Sequence, residues 1–310
     1  MANRRDFIKG AAGAALFSKT VLGANDRINY AFIGLGARTA LLDAAFFKQA
    51  DGNLAAICDC NRAKIDAYQS GKLAGKKVEA FIDYRRLMER KDIDAVVIVT
   101  PDHLHAPMMI AALEVGKDVY VEKPPSNTVE GAVSMLKAYR SHKQMVQLGT
   151  QQLSWDHFQE TAKFVREGGL GNIRYIEVGM GNLGGGGMGG GGAMGGGRGA
   201  ASPGPTPVPE GLDWDLFLGP AKKVPFDPAR LSWRGWWDYS GGGMSDMGAH
   251  HMDIVHLAMD TGSNGPTLIS AVSMGSDDPE KIPGSWVIDF KFPNYIMTET
   301  SFSAPTSEPI

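Results

Sequence analysis

Residues 241–256, GGGMSDMGAHHMDIVH, gather five side chains that could hold a metal ion or move a proton, directly behind three glycines. These side chains are Asp246, His250, His251, Asp253 and His256. On one continuous helix, Asp246, His250 and Asp253 would share a face, because they are spaced four and three residues apart. Three uses are open: a metal site, a proton-transfer site, or the polar face of a structural helix.

Proton transfer by Asp246 and His250 is the interpretation we favour. The segment lacks the paired His-x₃-His spacing or the cysteine typical of zinc sites, so no metal is expected. An imidazole accepts or releases a proton near neutral pH, and a neighbouring carboxylate can orient it. Asp253 is then a supporting partner on the same face, whereas His251 and His256 are interpreted as structural.

A second set of residues predicts nucleotide binding. Gly34-Leu35-Gly36-Ala37-Arg38-Thr39 follows an apolar strand and opens a helix. Gly34 permits a tight turn, and Gly36 lets the backbone approach a pyrophosphate at the helix N-terminus. The cofactor-binding residues predicted from this turn are Gly34, Gly36, Ala37 and Arg38. Thr39 departs from the usual glycine or alanine at the third position.

Asp59 ends the second predicted strand, twenty residues after Thr39. A carboxylate there can accept hydrogen bonds from the adenosine ribose hydroxyls and repels a 2′-phosphate, which favours NAD. Arg38 and Arg62 lie near it in sequence and could instead bind the phosphate of NADP. The cofactor is therefore predicted to be NAD or NADP, with NAD favoured.

Two later strand ends carry further polar groups. Thr100-Pro101 and His105 follow the fourth predicted strand, and Glu122-Lys123 ends the fifth. In a parallel sheet these ends line the crevice where a nicotinamide lies. We predict that all five residues bind the cofactor and that the Lys123 ammonium stabilises a developing alkoxide. Loop capping is the alternative for His103 and His105.

The elements that would position these residues alternate strand and helix from residue 28 to about residue 150. This order predicts a doubly wound parallel sheet, a Rossmann domain over residues 25–150. Residues 151–310 are predicted to form a second, α+β domain that binds the substrate. A glycine-rich insertion at residues 181–204 is expected to be a mobile surface segment.

The first residues resemble a twin-arginine export signal. Arg4-Arg5 precedes Phe7, Ile8 and Lys9, and a short Ala/Gly-rich run follows. We expect residues 1–24 to be a signal peptide read by the twin-arginine export machinery, which makes the mature protein periplasmic or otherwise exported. The formal charge of −3 argues against nucleic acid as a partner.

The Thr-Pro-x₃-His run at residues 100–105, the block ALEVGKDVYVEKP and the later Gly-Gly-x₃-Asp-x₃-His are similar to the Gfo/Idh/MocA oxidoreductase family. The resemblance runs from about Ile28 to Phe302. It implies a tightly bound NAD or NADP, an open mixed sheet in the second domain, and homo-oligomers formed through that sheet. It also implies that Lys123 contacts the nicotinamide region and the substrate hydroxyl, and that Asp246 and His250 bind substrate.

The substrate that the resemblance implies is a sugar, glycoside or polyol. Residues 232–240, SWRGWWDYS, supply aromatic faces of the kind that pack on sugar rings, and Trp237 is predicted to bind substrate. A place in the domain core is the alternative for each of these aromatic residues. Because family members continue further past the equivalent of residue 310, we expect the sequence to be truncated.

The leading functional hypothesis is an exported oxidoreductase that moves hydride between a CH–OH carbon and a retained nicotinamide. The first alternative is a redox-neutral, NAD-dependent glycoside hydrolase or lyase on the same fold. The second is a non-catalytic protein that binds a sugar or a nucleotide.

Overall fold

A computed structural model of the protein describes residues 27–76, 78–179, 204–274 and 278–301. The predicted twin-arginine segment at residues 1–24 and residues 181–203 of the glycine-rich insertion lie outside the described residues, so both remain predictions. Within the described ranges, no helix combines the length and the apolar character needed to cross a membrane.

The first six strands form one parallel sheet in the order β3-β2-β1-β4-β5-β6. The strands are β1 (Ile28–Ile33), β2 (Gly52–Cys58), β3 (Glu79–Phe81), β4 (Ala95–Ile98), β5 (Asp118–Glu122) and β6 (Val146–Gly149). The order reverses between β1 and β4, which makes the carboxyl ends of these two strands the switch point of a doubly wound sheet. The predicted fold class is confirmed.

Five helices connect these strands. They are α1 (Ala37–Phe46), α2 (Arg62–Gly71), α3 (Tyr84–Met88), α4 (His105–Glu114) and α5 (Val129–Ser141). Three of them begin at a side-chain cap, since Asn61, Asp83 and Thr128 each accept a hydrogen bond from a backbone N–H in the first turn. Helix α1 begins at Gly36 and has no such cap.

Apolar side chains cover both faces of this sheet. Along β1, Tyr30 and Phe32 belong to one buried cluster, whereas Ala31 and Ile33 belong to another. All four residues of β4 are buried. Its nearly continuous apolar sequence predicted a central parallel strand of this kind.

After β6 the described residues form four further α-helices and four strands. They are α6 (Asp156–Arg166), β7 (Tyr175–Gly179), α7 (Trp214–Leu218), α8 (Gly242–Asp246), α9 (Gly248–Met259), β8 (Leu268–Met274), β9 (Ser285–Lys291) and β10 (Ile296–Thr300). The chain divides into two compact units, one made of Met1–Gly149 with Gly204–Asp227 and the other of Thr150–Pro203 with Pro228–Ile310.

Segment Gly204–Asp227 packs with the parallel sheet's unit, although the sequence analysis placed it in the second domain. The Asp213 backbone N–H donates to the Cys60 carbonyl at 2.8 Å, and the Arg62 N–H donates to the Gly211 carbonyl at 2.8 Å. The rings of Trp214 and Phe217 stack with centroids 4.9 Å apart, and both are buried. This grouping differs from the predicted boundary at residue 150, because sequence order does not reveal which core a returning segment joins.

The second unit contains a mixed four-stranded sheet in the order β7-β10-β9-β8. Strand β10 pairs parallel with β7, and the other pairs are antiparallel. The sequence analysis did not identify β10, because its Thr-Glu-Thr sequence is typical of an exposed segment. In the structure Met297, Thr298, Glu299 and Thr300 are all buried.

Strand β8 presents apolar side chains to solvent. Leu268, Ile269, Val272 and Met274 are all exposed. This strand is the edge of the described sheet, and the expected homo-oligomer through this sheet remains a prediction.

Glu299 on β10 is the most unusual buried group in this unit. It is 0% exposed, and neither carboxyl oxygen has a hydrogen-bond partner among the described residues. A side chain at Gly248, the first residue of α9, would overlap Glu299 Oε1. Burial raises the pKa of Glu299 to about 7, so the folded protein holds the carboxyl in its neutral form below that pH.

This carboxyl makes stability depend on pH. The unfolded group ionises near its ordinary value of 4.5, whereas the folded group ionises near 7. Between these values the folded state binds more protons than the unfolded state, so stability falls as pH rises. The wild type should lose up to about 3 kcal/mol of unfolding free energy between pH 4.5 and 7. We expect Glu299→Gln to remove this loss, and chemical denaturation across that pH range measures it.

The exposed Glu160→Gln variant is the matched control and should keep the wild-type pH dependence. If Glu299→Gln loses as much stability over this range as the wild type, the assignment to Glu299 is wrong. Gly248→Ala should destabilise the unit, because the added methyl group overlaps the Glu299 carboxyl.

Candidate active site

The glycine turn after β1 has a conformation that only glycine adopts readily. Gly34 has a φ of +93°, and a Cβ there would lie 2.5 Å from the Val99 carbonyl oxygen. Its N–H donates to the Cys58 carbonyl at 2.8 Å. The hydroxyl of Thr39, which is fully buried, donates to the Gly34 carbonyl at 2.6 Å. Thr39 therefore closes the turn at the position where the fingerprint usually has glycine or alanine.

The N-terminus of α1 is open to a ligand. A Cβ at Gly36 would meet nothing within 4 Å, and no side chain caps the helix that starts at Ala37. The unpaired N–H groups in the first turn of such a helix bind phosphate, because the positive end of the helix dipole lies there. The turn and the helix end together fit a dinucleotide pyrophosphate.

Asp59 is tied to the glycine turn by its carboxylate. Oδ2 accepts the Leu35 backbone N–H at 2.8 Å, and Oδ1 accepts the Asn61 N–H at 2.9 Å. Each carboxylate oxygen retains a further acceptor position, so the predicted contact with ribose hydroxyls is compatible with these bonds. Arg62, the other residue predicted here, begins α2 with an exposed side chain.

The ends of β4 and β5 are joined by His105. Its Nδ1 lies 2.7 Å from the Pro124 carbonyl and its Nε2 lies 2.9 Å from the Thr100 carbonyl. The ring is 1% exposed, and burial lowers its pKa. Both ring nitrogens lie near backbone carbonyls, and the neutral imidazole can donate a hydrogen bond to one of them. The expected contact with the cofactor remains a prediction.

Thr100 and Pro101 lie at the predicted crevice. The Thr100 hydroxyl is buried and has no hydrogen-bond partner among the described residues. Pro101 precedes a short 3₁₀ turn over Asp102–Leu104. A buried hydroxyl without a partner at the carboxyl end of β4 is suited to a polar ligand, which agrees with the predicted cofactor site.

Glu122 and Lys123 end β5, and the Lys123–Pro124 peptide bond is cis. Glu122 is 4% exposed, and its Oε1 accepts hydrogen bonds from the Arg38 guanidinium. Nε and Nη2 of Arg38 each lie 2.8 Å from this oxygen. Arg38 was predicted as a possible ligand for a 2′-phosphate. In the structure its guanidinium is instead paired at the end of β5.

Asp246 and His250 do not lie on one helix. Asp246 ends α8 and His250 belongs to α9, with Met247 between the two helices. Asp246 Oδ2 accepts a hydrogen bond from Arg234 Nε at 2.9 Å, a partner that the helical spacing could not reveal. His250 is 3% exposed, and its backbone N–H donates to the Met247 carbonyl at 3.0 Å.

The other polar residues of this segment have separate environments. Burial raises the pKa of Asp253, and a hydrogen bond with Thr150 opposes that shift. His256 Nδ1 lies 3.0 Å from the Thr261 hydroxyl, and burial lowers the pKa of both His251 and His256. Among the described ranges, no group of three or more His, Cys, Asp or Glu side chains is arranged to hold a metal ion.

The aromatic segment divides into buried and exposed rings. Trp236 and Tyr239 are buried, and the Arg230 guanidinium lies 4.2 Å from the Trp236 ring centroid. Arg230 also pairs with Asp238 at 3.2 Å. These two rings therefore belong to the core, which was the alternative interpretation. Trp237 is 50% exposed, so its face is available for the predicted substrate contact.

Three features of the site were missed by the sequence analysis: the Arg38–Glu122 pair, the Arg234–Asp246 pair and the return of segment 204–227 to the first unit. Each joins residues far apart in the chain, at separations of 84 residues for the first pair and 12 for the second. Arg234 and Asp246 lie in different elements, so the periodicity of a single helix or strand does not relate them. The predicted cofactor residues all lie in the first unit, whereas Asp246 and His250 lie in the second.

Comparison with known proteins assigns both parts of the chain. Residues 28–150 match the model "Oxidoreductase family, NAD-binding Rossmann fold" and residues 197–293 match "Oxidoreductase family, C-terminal alpha/beta domain", both of the Gfo/Idh/MocA family. A glycosyl hydrolase family 109 protein of Stenotrophomonas maltophilia is 30% identical over 188 residues, which are 57% of this chain and 41% of that protein. An alpha-N-acetylgalactosaminidase of Shewanella oneidensis is 36% identical over 109 residues, 33% of this chain and 24% of that protein.

Solved structures share the fold at lower identity. The WlbA dehydrogenase of Bordetella pertussis, solved in complex with NADH and UDP-GlcNAcA, has a TM-score of 0.65 at 18% identity, covering 90% of this chain and 74% of that one. The aldose-aldose oxidoreductase of Caulobacter crescentus has a TM-score of 0.61 at 21% identity, covering 89% and 70%. The alignments reach less than half of either curated relative's length. The chain belongs to the Gfo/Idh/MocA family of oxidoreductases, with an NAD-binding Rossmann domain followed by the family's C-terminal α/β domain.

Proposed function

We propose that this protein is an NAD-dependent enzyme that transfers hydride from a hydroxyl-bearing carbon of a carbohydrate to a retained nicotinamide cofactor. The observation that carries the proposal is the glycine turn at Gly34, directly before an uncapped helix and bonded to Asp59 through Leu35. The names of the relatives, which include a sugar-nucleotide complex, glycosidases and an aldose oxidoreductase, support a carbohydrate substrate.

The chemistry divides between the bound cofactor and three side chains. A bound nicotinamide would supply the hydride acceptor for the carbon that carries the reacting hydroxyl. His250 accepts the proton of that hydroxyl, since its imidazole ordinarily titrates near neutral pH. Lys123 stabilises the oxygen as negative charge develops on it. Asp246, held by Arg234, orients the proton acceptor or the substrate hydroxyl.

A second candidate is redox-neutral cleavage of a glycoside. The observation that favours it is the similarity to glycosyl hydrolase family 109 proteins at 30–38% identity. In this reaction, oxidation of one sugar carbon makes the neighbouring C–H acidic and elimination releases the leaving group. In a hydrolase, water then adds to the double bond that elimination forms, and the hydride returns to the oxidised carbon. The same residues would serve, but the nicotinamide would show no net change in oxidation state.

Product analysis separates the two candidates. The purified protein is incubated with a panel of free sugars, polyols and aryl glycosides, while nicotinamide absorbance and released aglycone are followed together. An oxidised sugar with a matching gain of reduced nicotinamide supports the oxidoreductase. Aglycone release without net nicotinamide reduction supports the glycosidase. Binding of sugar without either product would support the non-catalytic alternative.

The role of His250 is tested in the same assay. We expect His250→Gln to lower kcat by about 10²–10⁴-fold, because the proton acceptor is lost, while the amount of bound nucleotide stays at the wild-type level. The exposed His157→Gln variant is the control and should keep full activity. Unchanged turnover in His250→Gln would exclude the proposed proton transfer.

Gly34 provides a test of cofactor retention that does not depend on substrate. Denaturing the purified protein should release close to one nucleotide per chain. Gly34→Ala should release far less, because its Cβ overlaps the Val99 carbonyl and displaces the turn. Gly71→Ala, where an added Cβ meets nothing within 4 Å, should retain the wild-type amount. Absence of nucleotide from the wild-type supernatant would count against a retained cofactor.

We further propose that residues 1–24 direct twin-arginine export of the folded, cofactor-loaded chain. Replacing Arg4-Arg5 by two lysines should block export, because the paired arginines are the recognised feature of the signal. The measurement is the cytoplasmic and periplasmic distribution of the full chain, with the exposed Lys48→Gln, outside residues 1–24, as the control. Equal export of the twin-lysine variant would refute the assignment.

A further inference from the structure

The Arg38–Glu122 pair crosses the carboxyl end of β4. Arg38 lies in the first turn of α1, which follows β1, and Glu122 ends β5. The sheet order β1-β4-β5 places β4 between the two strands. The guanidinium therefore extends over the end of the intervening strand to reach its carboxylate, with both Nε and Nη2 at 2.8 Å from Oε1.

The surrounding residues fix the carboxylate in place. The Tyr120 hydroxyl donates to the same Glu122 oxygen at 3.1 Å. A Cβ at Gly149, the last residue of β6, would lie 2.6 Å from the Tyr120 hydroxyl and 3.0 Å from Glu122 Oε1. Glycine at this position leaves the space that these two groups occupy. The charge of Glu122 is thus held at a defined point by groups from α1, β5 and β6.

The pair lies in the half of the crevice that the nicotinamide would occupy. In a doubly wound domain the pyrophosphate binds at the first helix N-terminus and the adenosine lies toward the β2 acid, here Asp59. The other half of the dinucleotide then lies toward the ends of β4 and β5. Arg38, Glu122 and Lys123 lie at these ends, together with the buried Asp102 in the turn after β4. Burial lowers the pKa of His105 there.

Charge at this position distinguishes the two oxidation states of the cofactor. The oxidised nicotinamide ring carries a positive charge and the reduced ring carries none. The cations of Arg38 and Lys123 disfavour the oxidised ring, and the Glu122 carboxylate offsets part of this effect. Glu122 is 4% exposed, so its charge is screened less than a charge at the surface.

We propose that Glu122 is a positioning residue that holds Arg38 and sets the balance between oxidised and reduced nicotinamide in the site. The inference rests on the proposed function, since it requires that the crevice bind the cofactor. The negative charge of Glu122, rather than the shape of its side chain, is expected to let NAD⁺ compete with NADH for the site. For an enzyme that retains its cofactor through a complete cycle, this balance decides whether the hydride can leave again.

The test compares retained NAD⁺ with retained NADH. Each full-length variant is equilibrated with excess equimolar NAD⁺ and NADH until the bound ratio is constant, freed of unbound nucleotide, denatured and analysed. Glu122→Gln keeps the size and an acceptor oxygen but loses the charge. We expect the retained NAD⁺:NADH ratio to fall about tenfold, equivalent to about 30 mV for a two-electron couple.

Arg38→Gln should move the ratio in the opposite direction, because it removes a cation. The double variant should return close to the wild-type ratio, even where total binding is weaker. General damage to the fold lowers the retention of both forms and leaves the ratio unchanged. Glu130→Gln, on the exposed first turn of α5, is the control and should match the wild type.

The outcomes separate the inference from the proposed function. If the wild type retains both forms and Glu122→Gln leaves their ratio unchanged, the inference is overturned and the proposed function stands. If the wild type retains neither form, both are overturned. Opposite shifts in the two single variants would establish that the pair acts through charge.

Discussion

The bonded turn at the carboxyl end of β1 is the constraint on which the cofactor half of the molecule depends. Gly34 approaches the Val99 carbonyl so closely that no side chain fits, and its own backbone groups bond to Cys58 and to Thr39. This turn joins the ends of three central strands, β2, β1 and β4. Because α1 starts immediately after it, the turn also fixes where the helix N-terminus points.

Polar groups at the neighbouring strand ends extend this constraint outward. Asp59 bonds to the turn from the β2 side, and His105 links the ends of β4 and β5. Arg38 and Glu122 then join α1 to β5. Each of these groups therefore helps to fix the rim of the sheet, which is formed by the carboxyl ends of β1, β2, β4 and β5. A preorganised rim lowers the cost of binding a long, flexible dinucleotide.

The fold was largely predictable because apolar periodicity and glycine turns are local signals. Strand β4 and the turn at Gly34 followed from a few adjacent residues. Pairings between residues of different elements were not predictable, as the Arg234–Asp246 bond illustrates, since Arg234 lies in a 3₁₀ turn and Asp246 in α8. Strand β10 was missed for another reason: its polar residues indicated exposure, whereas tertiary packing buries Glu299 completely. The glycine turn itself was predicted from adjacent residues, whereas the pairing of Arg38 with Glu122 was not.

The discontinuous composition of the first unit affects how the chain can fold during synthesis. Strand β6 ends at Gly149, yet this unit includes Gly204–Asp227, whose buried rings of Trp214 and Phe217 come later in the chain. The parallel sheet can form before these residues leave the ribosome, but its unit cannot be completed. The part of the second unit that starts at Thr150 is synthesised in the interval. The two units therefore mature in an overlapping order, and neither can be exchanged between proteins as one uninterrupted piece of sequence.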